Sequence, residues 1–411
     1  MTTTQQPPAR AEAGPRPEWA TRPTTPEGWI ERARQVGQIL AADDAERDAA
    51  NKTPYSEITL IKESGLAGLL LPAEHGGGGL EWPTAYKVIK EVSFGDGSIG
   101  HLLGYHYMWN WVPAAIGTPE QTARLEAESA RGNWIMAGAV NARDKDVVVR
   151  DEGDHLVFNG KKTFSTGVKV SDRTVIEGVL EGTDTHVVAI VPTDQPGLVK
   201  LDNWDNMGQR LTESGGVNLN DIRVPWSDAL GFVDKKFQPR PYGTMNVPTG
   251  QVIFASFWLG IAKRALHEAS EYTRTKGTAW GGYERTVDEP RVLDIIGDLT
   301  AKLWAVEALV DQVAEEGLPL HRDPYGVTER MRGEYKIRTA AVKIAADSVV
   351  LEITNRMFEV TGARSTASKY GYDRFWRNVR THTVHDPVPY QRQEIGAFQL
   401  RDEVPTPGWY S

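Results

Sequence analysis

Cysteine is absent from all 411 residues. Disulfides, thiolate metal sites, iron–sulfur clusters and cysteine nucleophiles are excluded together. Positive charge is in deficit: 46 Lys and Arg against 55 Asp and Glu leave a formal charge of −9. That balance lacks the clustered cations that dominate binding to nucleic acid or anionic membrane. Long apolar runs are missing too. The strongest, residues 66–71, contains Gly68 and stops at Pro72, far short of the roughly 20 residues a membrane span needs. Residues 1–26 hold no apolar signal core; they are rich in Thr, Gln, Pro, Ala and Arg and read as a disordered or loosely attached arm. The expected location is the cytoplasm. A G-x-S-x-G elbow is also lacking, which counts against an α/β-hydrolase.

What remains is an ordinary globular composition, 40% apolar and 25% charged. Residues 27–130 read as a helical domain. Ile30, Ala33, Val36, Ile39 and Leu40 recur three or four apart along a helix expected over residues 28–50. Ser56 looks like the cap of a second helix running toward Leu71. Helical patterns resume over residues 82–93 and 99–111, and Thr118-Pro119-Glu120 opens another. Over residues 131–240 the period changes to short β-branched segments separated by Gly and Asp turns. No helices alternate with them, so a small β-barrel or sandwich is expected, not a Rossmann domain. Residues 241–411 return to long striped helices, at 251–276, 291–316 and 328–358 with a shorter closing segment. They predict a C-terminal four-helix bundle. The fold class is α+β.

Gly95-Asp96-Gly97-Ser98-Ile99-Gly100 matches G-x-G-x-x-G, but a dinucleotide fingerprint follows a strand and this one follows a helical pattern. An interhelical turn with close packing is the reading. His101 and Tyr105 are four apart and share one helix face, with His106 rotated away. The Trp and Tyr side chains around them suit either a core or an apolar pocket with a few polar anchors. The 13 Trp against 10 Phe lean toward an aromatic ligand. His382-Thr383-Val384-His385-Asp386 is the tightest titratable cluster. It suits either acid–base work or a two-histidine, one-carboxylate metal site. Neighbours on a helix point about 100° apart and Pro387 breaks the backbone, so no metal ligand is assigned.

Several strings become informative together. Residues 158–167, FNGKKTFSTG, and residues 204–215, WDNMGQRLTESG, resemble two flavin-side blocks of acyl-CoA dehydrogenases. Residues 96–106, 271–275, 358–364 and 370–388 are similar to a flavin-dependent monooxygenase branch of that fold, the dibenzothiophene monooxygenase type. The resemblance spans residues 27–411. It implies a group D flavin monooxygenase, usually a homotetramer, that takes FMNH2 or FADH2 from a separate NAD(P)H:flavin reductase and uses O2. The oxygen would pass from a C4a-hydroperoxyflavin to a small sulfur or aromatic heterocycle.

Residue by residue, Trp204, Ser165, Thr166 and Ser214 match positions lining the flavin ring. Arg274 and Arg364 match arginines that hold flavin phosphate, often across a subunit boundary, a task suited to a guanidinium. His101, Tyr105, His382 and His385 match active-site positions, His385 being the group expected to act on the activated oxygen. The chain also departs from the pattern. Asn133-Trp134 is not followed by the type enzyme's Asn, the nearest being Asn141, and Thr166 stands for its Ser. Val140-Asn141-Ala142-Arg143 does not match the Thr-Glu-Pro strand of true dehydrogenases. Two other readings stand beside the monooxygenase: an acyl-CoA dehydrogenase on FAD, and a non-haem iron oxygenase on His382 and His385.

Overall fold

The structure, a computed structural model, describes residues 16, 19–141 and 145–408. The N-terminal arm is docked from Trp19 onward. Its indole is buried, lies 5.4 and 5.5 Å from the guanidinium carbons of Arg16 and Arg32, and donates to Gln35 Oε1 at 3.2 Å. Residues 1–15, 17 and 18, the rest of the expected arm, lie outside the described residues.

The single helix expected over residues 28–50 is two. Helix α1 (Pro26–Ala41) is capped by the Thr25 side chain, and α2 (Asp44–Ala50) starts after Asp43, whose φ of −139° leaves the helical region. Ser56 is not a cap. Helix α3 (Tyr55–Glu63) begins one residue earlier, behind Pro54, and stops before Gly65, which turns left-handed at φ 79°. Only a short 3-10 turn, Leu66–Gly68, follows. Helix α4 (Trp82–Gly95) and α5 (Gly97–Ile116) meet at Asp96, whose carboxylate accepts from the backbone N–H of Ser98 and Ile99 at 2.9 and 3.2 Å. The glycine string is thus an interhelical turn. A Cβ on Gly100 would lie 1.8 Å from Ser93 Oγ, so only glycine lets α4 and α5 approach this closely. Thr118 and Gln121 form a reciprocal capping box on α6 (Pro119–Gly132).

The middle of the chain is a mixed seven-stranded sheet. It comprises β1 (Met136–Ala139), β2 (Val147–Asp151), β3 (His155–Lys162), β4 (Arg173–Leu180), β5 (His186–Pro192), β6 (Leu198–Lys200) and β7 (Val217–Pro225). β1 and β2 follow one another along one edge of β4, both parallel to it, and β5 pairs antiparallel to β4. β3, β7 and β6 continue the sheet antiparallel. A two-stranded ribbon, β8 (Phe232–Val233) with β9 (Lys236–Phe237), leads out of it. The sheet has its own apolar core, including Val147, Phe158, Ile176 and Leu219.

Three long helices follow: α7 (Asn246–Lys276), α8 (Pro290–Arg322) and α9 (Glu329–Thr361). The fourth place in the bundle is shared. α10 (Asp373–Thr383) packs on α7 and α9, and α11 (Val388–Arg401) packs on α9. Between them Asp386 turns left-handed at φ 55° and Pro387 follows. Helix α4 packs against α7, so one apolar core runs through both helical regions. Among the described residues no helix is long and apolar enough to cross a membrane.

Candidate active site

Three helices contribute one ring cluster. α5 supplies His101 and Tyr105, α7 supplies Phe254, Phe257 and Trp258, and α10 supplies His382. The His101 ring stacks on Phe257 at 4.8 Å and 3°, and meets His382 edge-on at 4.7 Å. The Tyr105 hydroxyl lies 3.2 Å from His382 Nε2. His385, in the turn after α10, lies parallel to His382 at 5.4 Å and 10°. His106 points the other way: its Nε2 faces the Ala67 carbonyl at 2.7 Å and its Nδ1 accepts from Met136 N–H at 3.0 Å.

Burial decides the charge of this cluster, because an apolar surround disfavours imidazolium. It lowers His101 to about 3 and His382 well below the usual histidine range; in His382 the neighbouring His101, His385 and Lys343 add to the effect. His385 differs in being half-exposed, with its Nδ1 3.1 Å from Asp386 Oδ2. Burial works against the Asp386 charge. The hydrogen bond and charge of His385, the charge of Lys343 and the Gln251 amide at 2.9 Å outweigh it and hold that carboxyl well below the usual range. Lys343 on α9 is itself fully buried and donates to the His385 carbonyl. Burial pushes its ammonium down to about 8, against the pull of Asp386 and Asp347.

A second set of side chains comes from the loops of the sheet. Ser214 Oγ lies 2.9 Å from Thr166 Oγ1 and 2.8 Å from Thr212 Oγ1, a buried row of three hydroxyls. Trp204 Nε1 donates to the Gln209 carbonyl at 2.9 Å. Ser165 is fully buried, and its Oγ has no partner among the described residues. Phe164 is 69% exposed, left-handed at φ 55°, and stands edge-on to Trp204 at 6.3 Å.

Gln209 ties the two sets together. Its Oε1 lies 3.1 Å from His101 Nδ1, while its backbone N–H and side-chain nitrogen reach Asn378 Oδ1 at 2.7 Å and Asn378 O at 3.2 Å. His101, Tyr105, His382 and His385 therefore share one cluster, and Ser165, Thr166, Trp204 and Ser214 a neighbouring wall. Arg274 and Arg364 join neither. Both are exposed, Arg274 paired with Glu271 and Arg364 3.5 Å from Thr278 Oγ1. Among the described residues no three His, Asp or Glu side chains converge as a metal site.

Gln209, Asn378, Gln251 and Lys343 were not legible as site residues. The one available signal was Lys343, a charge inside the apolar run of residues 340–346. Ala142 and Arg143, part of the sequence segment that departs from the dehydrogenase pattern, lie outside the described residues.

Comparison with known proteins places the chain. Residues 30–133 match the model for the acyl-CoA dehydrogenase N-terminal domain and residues 252–388 that for the acyl-CoA dehydrogenase C-terminal domain. Dibenzothiophene monooxygenase from Mycolicibacterium goodii is 36% identical over 398 residues, 93% of this chain and 96% of that protein. The chain belongs to this monooxygenase family. A second relative in it, the probable FMNH2-dependent monooxygenase SfnC of Pseudomonas putida, is 32% identical and covers 94% of this chain and 98% of its own. TdsC from Paenibacillus sp. A11-2, solved with FMN and indole, superposes with a TM-score of 0.88 at 33% identity, over 93% of this chain and 99% of that one.

Proposed function

We propose that this chain is a reduced-flavin-dependent monooxygenase that transfers one atom of O2 to a sulfur or aromatic heterocycle, with FMNH2 supplied by a separate NAD(P)H:flavin reductase. The observation that carries the reading is the Gln209 bridge, which sets a wall of hydroxyls beside a buried imidazole cluster.

The residues present fit a flavin. A buried serine hydroxyl without a partner, a row of further hydroxyls, and Trp204 beside an outward-turned Phe164 suit a flat ring rimmed with heteroatoms. Ser165, Thr166, Trp204 and Ser214 would hold that ring. Arg274 and Arg364, free of the core, suit its phosphate from across a subunit boundary in a homotetramer. When bound, reduced flavin supplies the two electrons that activate O2.

The chain's own groups do the rest. His385 has Nδ1 committed to Asp386, which leaves Nε2 to hold or give a proton. Thr166 orients by its hydroxyl. His101, Tyr105 and His382 anchor the substrate against Phe254 and Phe257, and this ring box excludes the water that would otherwise quench the reaction. The cytoplasm is the compartment such a reductase partnership implies.

The test is to supply photoreduced FMN or FAD with O2 and a panel of aromatic heterocycles, and identify products by mass. Oxygenated product supports the reading. Oxidation of an acyl-CoA without O2, with an artificial electron acceptor, would support the dehydrogenase instead.

A further inference from the structure

We infer that Gln209 is a positioning residue that sets which nitrogen of His101 carries the proton, and thereby makes the pocket prefer occupants with an N–H or O–H over isosteres without one. The inference rests on the proposed reading of this cluster as the substrate pocket.

The protonation pattern follows from hydrogen-bond direction alone. A backbone carbonyl can only accept. The Asn378 carbonyl at 3.2 Å therefore faces the amide nitrogen of Gln209, not its oxygen. The Gln209 backbone N–H can only donate, and it meets Asn378 Oδ1 at 2.7 Å, which fixes the Asn378 side chain and ties the two residues together a second time. Gln209 Oε1 is then the atom 3.1 Å from His101 Nδ1. An amide oxygen only accepts, so Nδ1 bears the hydrogen. With burial holding His101 down to about 3, the ring is neutral near pH 7 and has no second hydrogen. Its Nε2 is a lone pair.

That lone pair is buried and has no partner among the described residues. A half-turn of the ring would give up the Gln209 bond, and tilting it would break the flat contact with Phe257. A buried acceptor left unpaired is costly, and whatever donor enters the pocket removes that cost. A thiophene sulfur offers no donor; a pyrrole-type N–H does. Gln209 itself touches neither occupant nor flavin in this scheme. It acts through His101.

The test compares indole with benzothiophene, which differ in that one atom. Their dissociation constants are measured by calorimetry on protein loaded with oxidised FMN, without turnover. Wild type is expected to bind indole about tenfold or more tighter. Gln209→Met, similar in length but lacking the acceptor, is expected to bring the ratio toward one, with both ligands measured at saturating FMN. Should that variant misfold, nitrogen-15 magic-angle-spinning spectra of histidine-labelled wild type decide, with the His101 signals assigned by their loss in His101→Asn. Protonated Nδ1 and bare Nε2 are expected. Protonated Nε2, equal binding of the two ligands by wild type, or an unchanged ratio in Gln209→Met overturns the inference. Failure of both ligands to bind FMN-loaded wild type counts instead against the pocket assignment on which it rests.

Discussion

The Tyr105 hydroxyl and His382 Nε2 lie 3.2 Å apart although 277 positions separate them in the chain. Tyr105 stands on α5, in the N-terminal helical region, and His382 on α10, in the C-terminal one. Phe254 of α7 stacks on Tyr105 at 5.7 Å and meets His382 edge-on at 4.7 Å. The ring cluster is therefore one packed unit built from both ends of the sequence. A shift of α5 against α10 is felt at the imidazoles directly.

His385→Ala removes the one half-exposed imidazole of the cluster. Oxidised FMN should bind as in wild type, and product formation should fall about 100-fold or more, the usual share of a positioned acid or base. Flavin titration and product yield, measured on the same preparation, check this. Normal turnover would contradict the role.

Ser214→Ala breaks the hydroxyl row at its centre, leaving Thr166 and Thr212 without that partner. Buried hydroxyls that lose a partner cost about 1–3 kcal/mol. The expected result is weaker FMN binding with unchanged far-UV circular dichroism. Ser214→Thr, which keeps the hydroxyl, should recover part of the loss.

Lys343 and Asp386 are coupled through the turn that carries His385. Asp386→Asn keeps a side chain that tolerates the left-handed backbone but removes a carboxylate whose charge favours the buried Lys343 ammonium, so stability falls. Adding Lys343→Met should recover most of that stability without restoring turnover. Urea midpoints of the two single variants and the double variant measure the coupling.

Buried histidines predict an acid-sensitive fold. Burial lowers His101 and His321 to about 3 and His106 to about 4. Between about 6.5, the ordinary value, and these lowered values, the unfolded chain takes up protons that the native one refuses. Stability is full above that window and falls as pH drops through it, by about 1.4 kcal/mol per pH unit for each histidine. Urea midpoints at pH 6.5 and 5.0 test this. His321→Phe should lose about 2 kcal/mol less than wild type over that interval.

The order of helices, strands and helices was legible because the apolar period changes near residue 135 and again before residue 250. The break between α1 and α2 was not. Apolar spacing continues through it, while the break is set by long-range ion pairs, Asp44 with Arg374 and Asp48 with Arg377, that tie α2 to α10. β6, with three residues, is too short to show a period. In the site, the shared face of His101 and Tyr105 follows from helical spacing. Their meeting with His382 does not, since it depends on how α5 and α10 pack around α7. Gln209 lies inside the flavin-side segment of residues 204–215, yet its amide gains meaning only from Asn378 and His101, each more than 100 positions away.

Single-turnover mixing of the protein with photoreduced FMN, oxygen-18-labelled O2 and an aromatic heterocycle asks whether the chain is a reduced-flavin monooxygenase. Product carrying one labelled oxygen atom is expected, formed only when the flavin enters reduced, and lost in His385→Ala. No affinity for reduced flavin, or product with oxygen drawn from water, would contradict that reading.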